Sequence, residues 1–360
     1  MNNKTVCGIL ILLISLFIIG CDEIIKDGGI DDGNTNNNGS DNNGNNADNN
    51  GNNTGNNEIN DVGIIFSASN NNAIGQATSL GSIYSNIYDV AYGNGKFVAV
   101  GISGQIAYST DGSNWTKSQN NGFRINDSYV NGVTYGNGMF VAFGSRGDVI
   151  SNGQITTWRD IVYSSNGSNW TRANTANFDV AISKIIYGGD KFLAVSGTGK
   201  IAYSSDGSLW TPITDTALNN ATFSSVAYGA GKYIAVGSSG KMAFSSDGIN
   251  WTIVISGSFS DITYLNDRYI AWGNGNFAES NDGTTWLSLA NTSFNGIVYG
   301  AGKFVSWSGS GIKYSKDNGV TWIQVDSTFN ESINRISYGN GVFVAVGGNF
   351  GHIAYTNKQE

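Results

Sequence analysis

Histidine is all but missing from this chain of 360 residues, His352 being the only one, and cysteine is limited to Cys7 and Cys21. Ser-His-Asp catalysis and Cys/His zinc sites need several such residues together, so both are excluded. His352 itself stands where other copies of a repeat described below carry Lys200, Lys241 or Gln105, the profile of a solvent-facing strand start. Glutamate is also scarce: after residue 61 there are only Glu279, Glu331 and Glu360. No 3.6-period apolar stripe appears after residue 61, which argues against helices. An excess of basic charge is missing too. Residues 62–360 hold 18 acids and 17 bases, net −1, so binding driven by neutralising nucleic-acid phosphates is excluded.

What the chain does have is a repeat. Versions of Tyr-Gly-Asn-Gly-Lys-Phe-Val-Ala-Val-Gly begin at Tyr92, Tyr135, Tyr187, Tyr228, Tyr264, Tyr299 and Tyr338, spaced 43, 52, 41, 36, 35 and 39 residues apart. A period of about 40 residues, rich in Gly, aromatic and β-branched types, suits a four-stranded blade. In the fourth copy, residues 225–228, 232–236, 241–244 and 251–254 read as strands separated by Gly and Asn turns, a meander. The position held by Ala99, Ala142, Ala194, Ala235, Ala271, Ser306 and Ala345 is small in every copy between large neighbours. Blades converging on an axis need such close packing, so these residues read as core.

Six copies are followed by a boxed turn, Ser-x-Asp-Gly-x-x-Trp or a close variant. The turns carry Ser109, Asp111 and Trp115; Ser164, Asn166 and Trp170; Ser204, Asp206 and Trp210; Ser245, Asp247 and Trp251; Ser280, Asp282 and Trp286; and Ser315, Asp317 and Trp322. A short Asp or Asn accepts turn N–H bonds, Gly permits positive φ, and Trp covers the hairpin with a large apolar face. This pattern resembles the Asp-box, or bacterial neuraminidase repeat, of sialidase-like propellers, and the last copy matches the full Ser-x-Asp-x-Gly-x-x-Trp form. The resemblance implies an all-β, seven-bladed β-propeller of four-stranded antiparallel blades. It also implies that the boxes are structural and lie opposite the ligand face. The seventh repeat ends before any box or fourth strand, leaving a raw edge. Residues 62–67 are placed to complete it, with the two ends of the domain adjacent.

Residues 1–20 read as a secretory signal, because the apolar run after Lys4 is too short to span a bilayer. The stretch Ile18-Ile19-Gly20-Cys21 resembles a bacterial lipobox, which implies lipidation of Cys21 as the mature N-terminus. Cys7 leaves with the signal, so no disulfide can form within the mature chain. Residues 21–61 are Asn, Gly and Asp with little apolar content, too little to offset chain entropy, and are expected to be a disordered tether. The folded domain is then residues 62–360. The tether holds nine acids against Lys26.

In propellers, the ligand face is formed by the connections from strand two to three and from strand four to the next blade. The second repeat carries a long insertion there, residues 144–160, with Arg146, Trp158, Arg159 and Asp160. Insertions on a rigid scaffold concentrate function. Arg124, in Phe123-Arg124-Ile125-Asn126, resembles the Phe-Arg-Ile-Pro arginine of sialidases, although it follows the first box instead of preceding it, and Phe123 has repeat counterparts in Phe178, Phe223, Phe294 and Phe329. A sialidase site needs three arginines, a Tyr–Glu pair and an Asp. Arg124, Arg146, Arg159, Arg172, Arg268 and Arg335 are the arginines available, and neither Glu279 nor Glu331 is assignable as the activating base.

The expected product is therefore a lipid-anchored monomer of the bacterial cell envelope, at the outer membrane or cell surface. It would bind protein or glycan ligands through Arg124, Arg146, Trp158, Arg159 and Asp160, with no cofactor and no assigned catalytic residue. Clustered Asp and Asn loops leave calcium as the one metal chemistry open, and no metal ligand is assigned. Two alternatives stand beside it: a sialidase-type glycoside hydrolase, and an envelope assembly factor similar to the photosystem assembly propellers that share this repeat.

Overall fold

The computed structural model describes residues 66–68 and 86–358, apart from 124–128, 152–153, 176–177, 179, 215–217, 219–220, 256, 274, 289–293, 326–328, 330 and 349–351. The signal segment, Cys21, the tether and Arg124 lie outside the described residues. The blades belong to one compact unit, Asn60–Glu360.

Seven four-stranded antiparallel sheets form a propeller ring. The fourth copy of the repeat shows how the sequence builds one: Ser225–Gly229, Lys232–Val236, Lys241–Ser245 and Thr252–Ile255 pair in order as blade 4. The Asn-Gly dipeptide after the first strand supplies the two positive-φ positions of a tight hairpin, as at Asn94 (φ 45°) and Gly95 (φ 71°) of blade 1. Blade 7 consists of Ile333–Gly339, Val342–Gly347 and His352–Thr356, and its fourth strand is Phe66–Ala68 from the other end of the domain. Phe66 pairs with Thr356 and Ala68 with Ala354. The raw edge is closed as the sequence predicts; residues 62–65 lie outside the described residues.

The small position of the second strand is the innermost packing. Ala99, Ala142, Ala194, Ala235, Ala271 and Ala345 are fully buried, and Ser306 is nearly so. The Tyr-Gly pair that opens each copy has a packing reason. A Cβ added at Gly136 would stand 1.9 Å from Cγ of Tyr187 in the next blade, and one at Gly339 would stand 2.0 Å from Cγ of Tyr92. Glycine is required because the neighbouring ring occupies that space. Blade 5 (first strand Asp261–Leu265) replaces this glycine with Leu265, and its inner strand makes the sparsest contact with that of the next blade, Gly296–Gly300.

Each boxed turn is a closed hydrogen-bond unit. In blade 1, the Ser109 hydroxyl donates to Asp111 Oδ1 (3.0 Å), and the Gly112 amide donates to Ser109 Oγ (2.9 Å). The Ser113 and Asn114 amides donate to Asp111 Oδ1, and Trp115 Nε1 donates to the Gly112 carbonyl (2.9 Å). Asn166 keeps the hydroxyl and amide bonds, accepting from the Ser168 and Asn169 amides at 2.9 and 3.0 Å, but lacks the second oxygen that in Asp111 accepts the Asn114 side chain (2.8 Å). The Trp then packs on the second strand of the preceding blade. Trp115 joins Val342, Val344 and Val346, while Trp170 joins Val98 and Val100. Burying about 200 Å² of indole is worth roughly 5 kcal/mol at ~25 cal/mol per Å². A latch runs the other way: Lys96 Nζ donates to the Asn166 carbonyl (3.0 Å), Lys191 to Asp247 (3.0 Å), and Lys232 to Asp282 (2.9 Å).

These turns make a testable acid signature. Partial burial opposes the charge on Asp111, but the Asn114 and Ser113 donors outweigh it and hold the carboxyl well below its ordinary value. At Asp317 the Thr321 hydroxyl and amide lead, and the carboxyl falls to about 2. A depressed carboxyl stabilises the fold above its unfolded pKa, near ~4, and that contribution fades as pH falls through the folded value. Asp111→Ala is expected to cost about 1 kcal/mol at pH 7 in urea unfolding. Asp111→Asn should cost less, because Asn166 keeps the hydroxyl and amide bonds of the turn, and it should remove that residue's share of the acid sensitivity.

Candidate functional site

The direction of the strands sorts the connections between two faces. Hairpins from strand one to two and the boxed turns share one face. The turns from strand two to three and the links between blades share the other. The box face is regular because it repeats; the connection face varies from blade to blade.

Among the described residues, cavities that open on the connection face include the following two. The larger, about 580 Å³, sits where blades 6, 7 and 1 meet and is lined by Asn86, Tyr88, Ser310, Glu331, Ser332 and Asn334. Asn334 is fixed by a hydrogen bond that its Nδ2 donates to the Ile87 carbonyl (2.6 Å). Burial pushes the Tyr88 phenol above its ordinary value, and Tyr129 adds to this. The smaller cavity, about 440 Å³, lies beside the link from blade 1 to blade 2, against Ser103, Lys117, Gln119 and Asn121. The blade-to-blade links are pinned by buried aromatic plugs: Phe123, Phe178, Phe223 and Phe329 are all buried, and Phe259 does the same for blade 5.

The sequence-predicted site residues are distributed as follows. The insertion at 144–160 is not a loop. Met139–Ser151 and Gln154–Ser164 run on as a two-stranded extension of blade 2, with Ser145 opposite Arg159, Arg146 opposite Trp158, and a register shift between Arg146 and Val149. Asn152-Gly153 set between the β-branched pairs Val149-Ile150 and Ile155-Thr156 is a hairpin signal, which explains the pairing. Asp160 is buried at 3% exposure and Arg159 is half-buried. The side chains of Arg146 and Trp158 lie outside the described residues, as does Arg124.

Two other arginines have structural duties. Arg268 holds Glu279 at 3.2 Å and donates to the Asn318 carbonyl (2.8 Å) in the next box. It is blade 5's version of the lysine latch. In blade 1 the equivalent Lys96 lies 5.1 Å over the Tyr108 ring, so Glu279 at the tyrosine position and Arg268 at the lysine position form a coordinated exchange. Arg335 lies in the central channel instead. The sialidase resemblance implies a trio of arginines on one face, and Arg268 and Arg335 do not join one.

The channel carries a feature that single-copy reading misses. Three residues before the repeat tyrosine, the seven inner strands place Asp89, Gly132, Lys184, Ser225, Asp261, Gly296 and Arg335 at one level. Arg335 bridges two carboxylates from different blades, with Nε 3.5 Å from Asp89 and Nη1 3.4 Å from Asp261. Asp89 also accepts the amides of Val90 (2.9 Å) and Val133 (3.0 Å). Asp261 accepts the Ile262 amide (2.9 Å) and the Ser225 hydroxyl. Burial opposes the charge on Asp261, yet Lys184 and Arg335 outweigh it and hold its carboxyl below the ordinary value. Burial likewise opposes Arg335, and Asp89 with Asp261 raise it. Lys184 is pushed down, first by burial and then by Arg335. The group is deep in the ring but faces channel solvent, 31% of the Arg335 side chain being exposed. Among the described residues, no group of three His, Cys, Asp or Glu gathers to hold a metal.

No family model matches the sequence, and no curated relative matches it. Solved structures similar to it include YCF48 bound to D1 peptide, at 16% identity and TM-score 0.59, covering 81% of this chain and 98% of that one. A catalytically inactive virginiamycin B lyase from Staphylococcus aureus with quinupristin aligns at 11% identity and TM-score 0.61, covering 78% and 98%. The WD40 β-propeller domain of Doa1 aligns at 12% and 0.58, covering 82% and 97%. These likenesses identify the fold, a β-propeller.

Proposed function

We propose that this protein is a membrane-tethered, extracytoplasmic binding propeller that holds a polar segment of another protein on its connection face. The carrying observation is the cavity of about 580 Å³ between blades 6, 7 and 1, whose lining is amide, hydroxyl, phenol and carboxylate. A pocket with convergent polar groups on a rigid ring is the usual form of a recognition site. A ring of this fold accommodates a peptide in YCF48. Cys21 is the proposed anchor, with the bacterial envelope as the location and the outer membrane or cell surface as the leaflet. Arg124, Arg146, Trp158 and Arg159 remain the proposed second contact area, on blade 2.

The same lining favours a second reading, a glycan ligand, since paired amides and a carboxylate suit vicinal hydroxyls. The full chain screened on peptide and glycan arrays decides between them. Tyr88→Ala and Ser310→Arg should each weaken the selected ligand at least about tenfold, the scale of one interface anchor. Binding that is unchanged in both variants moves the site off this cavity and defeats the reading.

A further inference from the structure

The lining of the larger connection-face cavity departs from the repeat at two points, and each departure changes its chemistry. Four residues before the repeat tyrosine, six copies carry a small polar residue, Asn131, Ser183, Ser224, Ser260, Asn295 or Asn334, whereas the first copy carries Tyr88. Seven residues before that tyrosine, the last copy carries Glu331, and the other six carry no charge, Ser85 and Thr292 among them. Tyr88 and Glu331 come from blades 1 and 7, yet they line one cavity of about 580 Å³. Tyr88 is the extra residue of a β-bulge between Ile87 and Asp89, and a bulge re-aims the side chain that it leaves out of the ladder. The Glu331 carboxylate lies against the main chain of blade 7, since a Cβ added at Gly348 would stand 2.3 Å from its Oε2. A carboxylate offers about four acceptor sites. Asn334 commits its Nδ2 to the Ile87 carbonyl (2.6 Å), so a donor end of that amide is turned to the wall. Among the described residues lining the cavity there is no Lys, Arg or His.

One negative charge, one aromatic ring and neutral polar groups therefore share a wall with no cation in it. Their complement is a donor-rich cation. A guanidinium fits best, because its planar fork pairs a carboxylate through two parallel bonds and stacks on an aromatic face, while an ammonium brings three donors and a point charge. We propose that this cavity is the pocket for a basic side chain of the bound polypeptide, arginine before lysine, with Glu331 pairing its charge and Tyr88 presenting its ring. The proposal rests on the connection face being a peptide site and adds the residue type that the site selects.

Fluorescence anisotropy with the full chain tests it, the probe being the peptide that the array retains most strongly. That peptide should contain an arginine or lysine whose replacement by norleucine lowers affinity at least about tenfold, the scale of one interface anchor. In Glu331→Gln the same replacement should cost less than about threefold, because the charge that the side chain answers is gone. Asp111→Asn removes a negative charge from the opposite face and should leave the tenfold step intact, which separates local pairing from a long-range field. Peptides that lose affinity in Tyr88→Ala but carry no basic residue overturn this proposal and leave the peptide reading standing. A norleucine penalty that is the same in Glu331→Gln as in wild type overturns it as well. Binding that Tyr88→Ala does not weaken, or binding of glycans alone, removes the peptide reading and this proposal with it. If Glu331→Gln does not fold, citrulline in place of the peptide's arginine carries the test on the wild-type chain: a loss of at least about tenfold supports the pocket, and unchanged affinity overturns it.

Discussion

Deleting residues 1–68 should cost about 3 kcal/mol of stability and make the protein associate, whereas a deletion ending at residue 61 should leave both properties unchanged. The lost strand supplies three registered residues against Ala354, Tyr355 and Thr356. At roughly 1 kcal/mol per net hydrogen bond, three such pairings set the scale. The second consequence follows from geometry. Without Phe66–Ala68, His352–Thr356 becomes an unpaired edge, and an open edge is a template for another chain. Urea unfolding gives the first quantity and sedimentation at several concentrations gives the second. Equal midpoints for the two deletions would show that the strand closes nothing.

Arg335→Met should cost about 3 kcal/mol at pH 7 and much less near pH 3. Removing the arginine strands Asp89 and Asp261 within the ring, and breaking a buried pair costs about 3–5 kcal/mol when the remaining charge is uncompensated. The lower end applies because channel solvent reaches the side chains. In the wild type, the depressed Asp261 carboxyl adds stability above its unfolded pKa of about 4, and that gain is lost as pH falls through the folded value. The variant forfeits the share of this gain that Arg335 supplies beside Lys184, so the two curves should approach each other in acid. A penalty that is flat between pH 7 and 3 would mean that the carboxylates find other partners.

The repeat made the ring readable because blade packing recurs in register with the chain. Tyr-Gly and the boxed Trp each serve a contact that recurs in six of the seven repeats, and the small second-strand residue one that recurs in all seven, so their physical roles show in one copy. Blade closure was readable for the same reason, since a three-stranded remainder demands a fourth. The extension of blade 2 was legible only as an insertion, either a contact loop or a longer hairpin, and Asn152-Gly153 between β-branched residues favours the hairpin. The channel group was missed outright. Asp89, Lys184, Asp261 and Arg335 each look like an ordinary polar strand residue, and only superposing the copies reveals that one position has acquired charge in four blades. The connection-face cavity has no periodic signal at all, because it is assembled from links that differ between blades.

The closing strand also sets a clock on the protein's birth. Phe66–Ala68 leaves the ribosome before the strands of blades 1–6, while its partner His352–Thr356 follows all of them. Blades 1–6 can fold one after another on local contacts, but the ring stays unsealed until the third strand of blade 7 has been made. A chain cut short anywhere in the last blade therefore carries two unmatched strand edges.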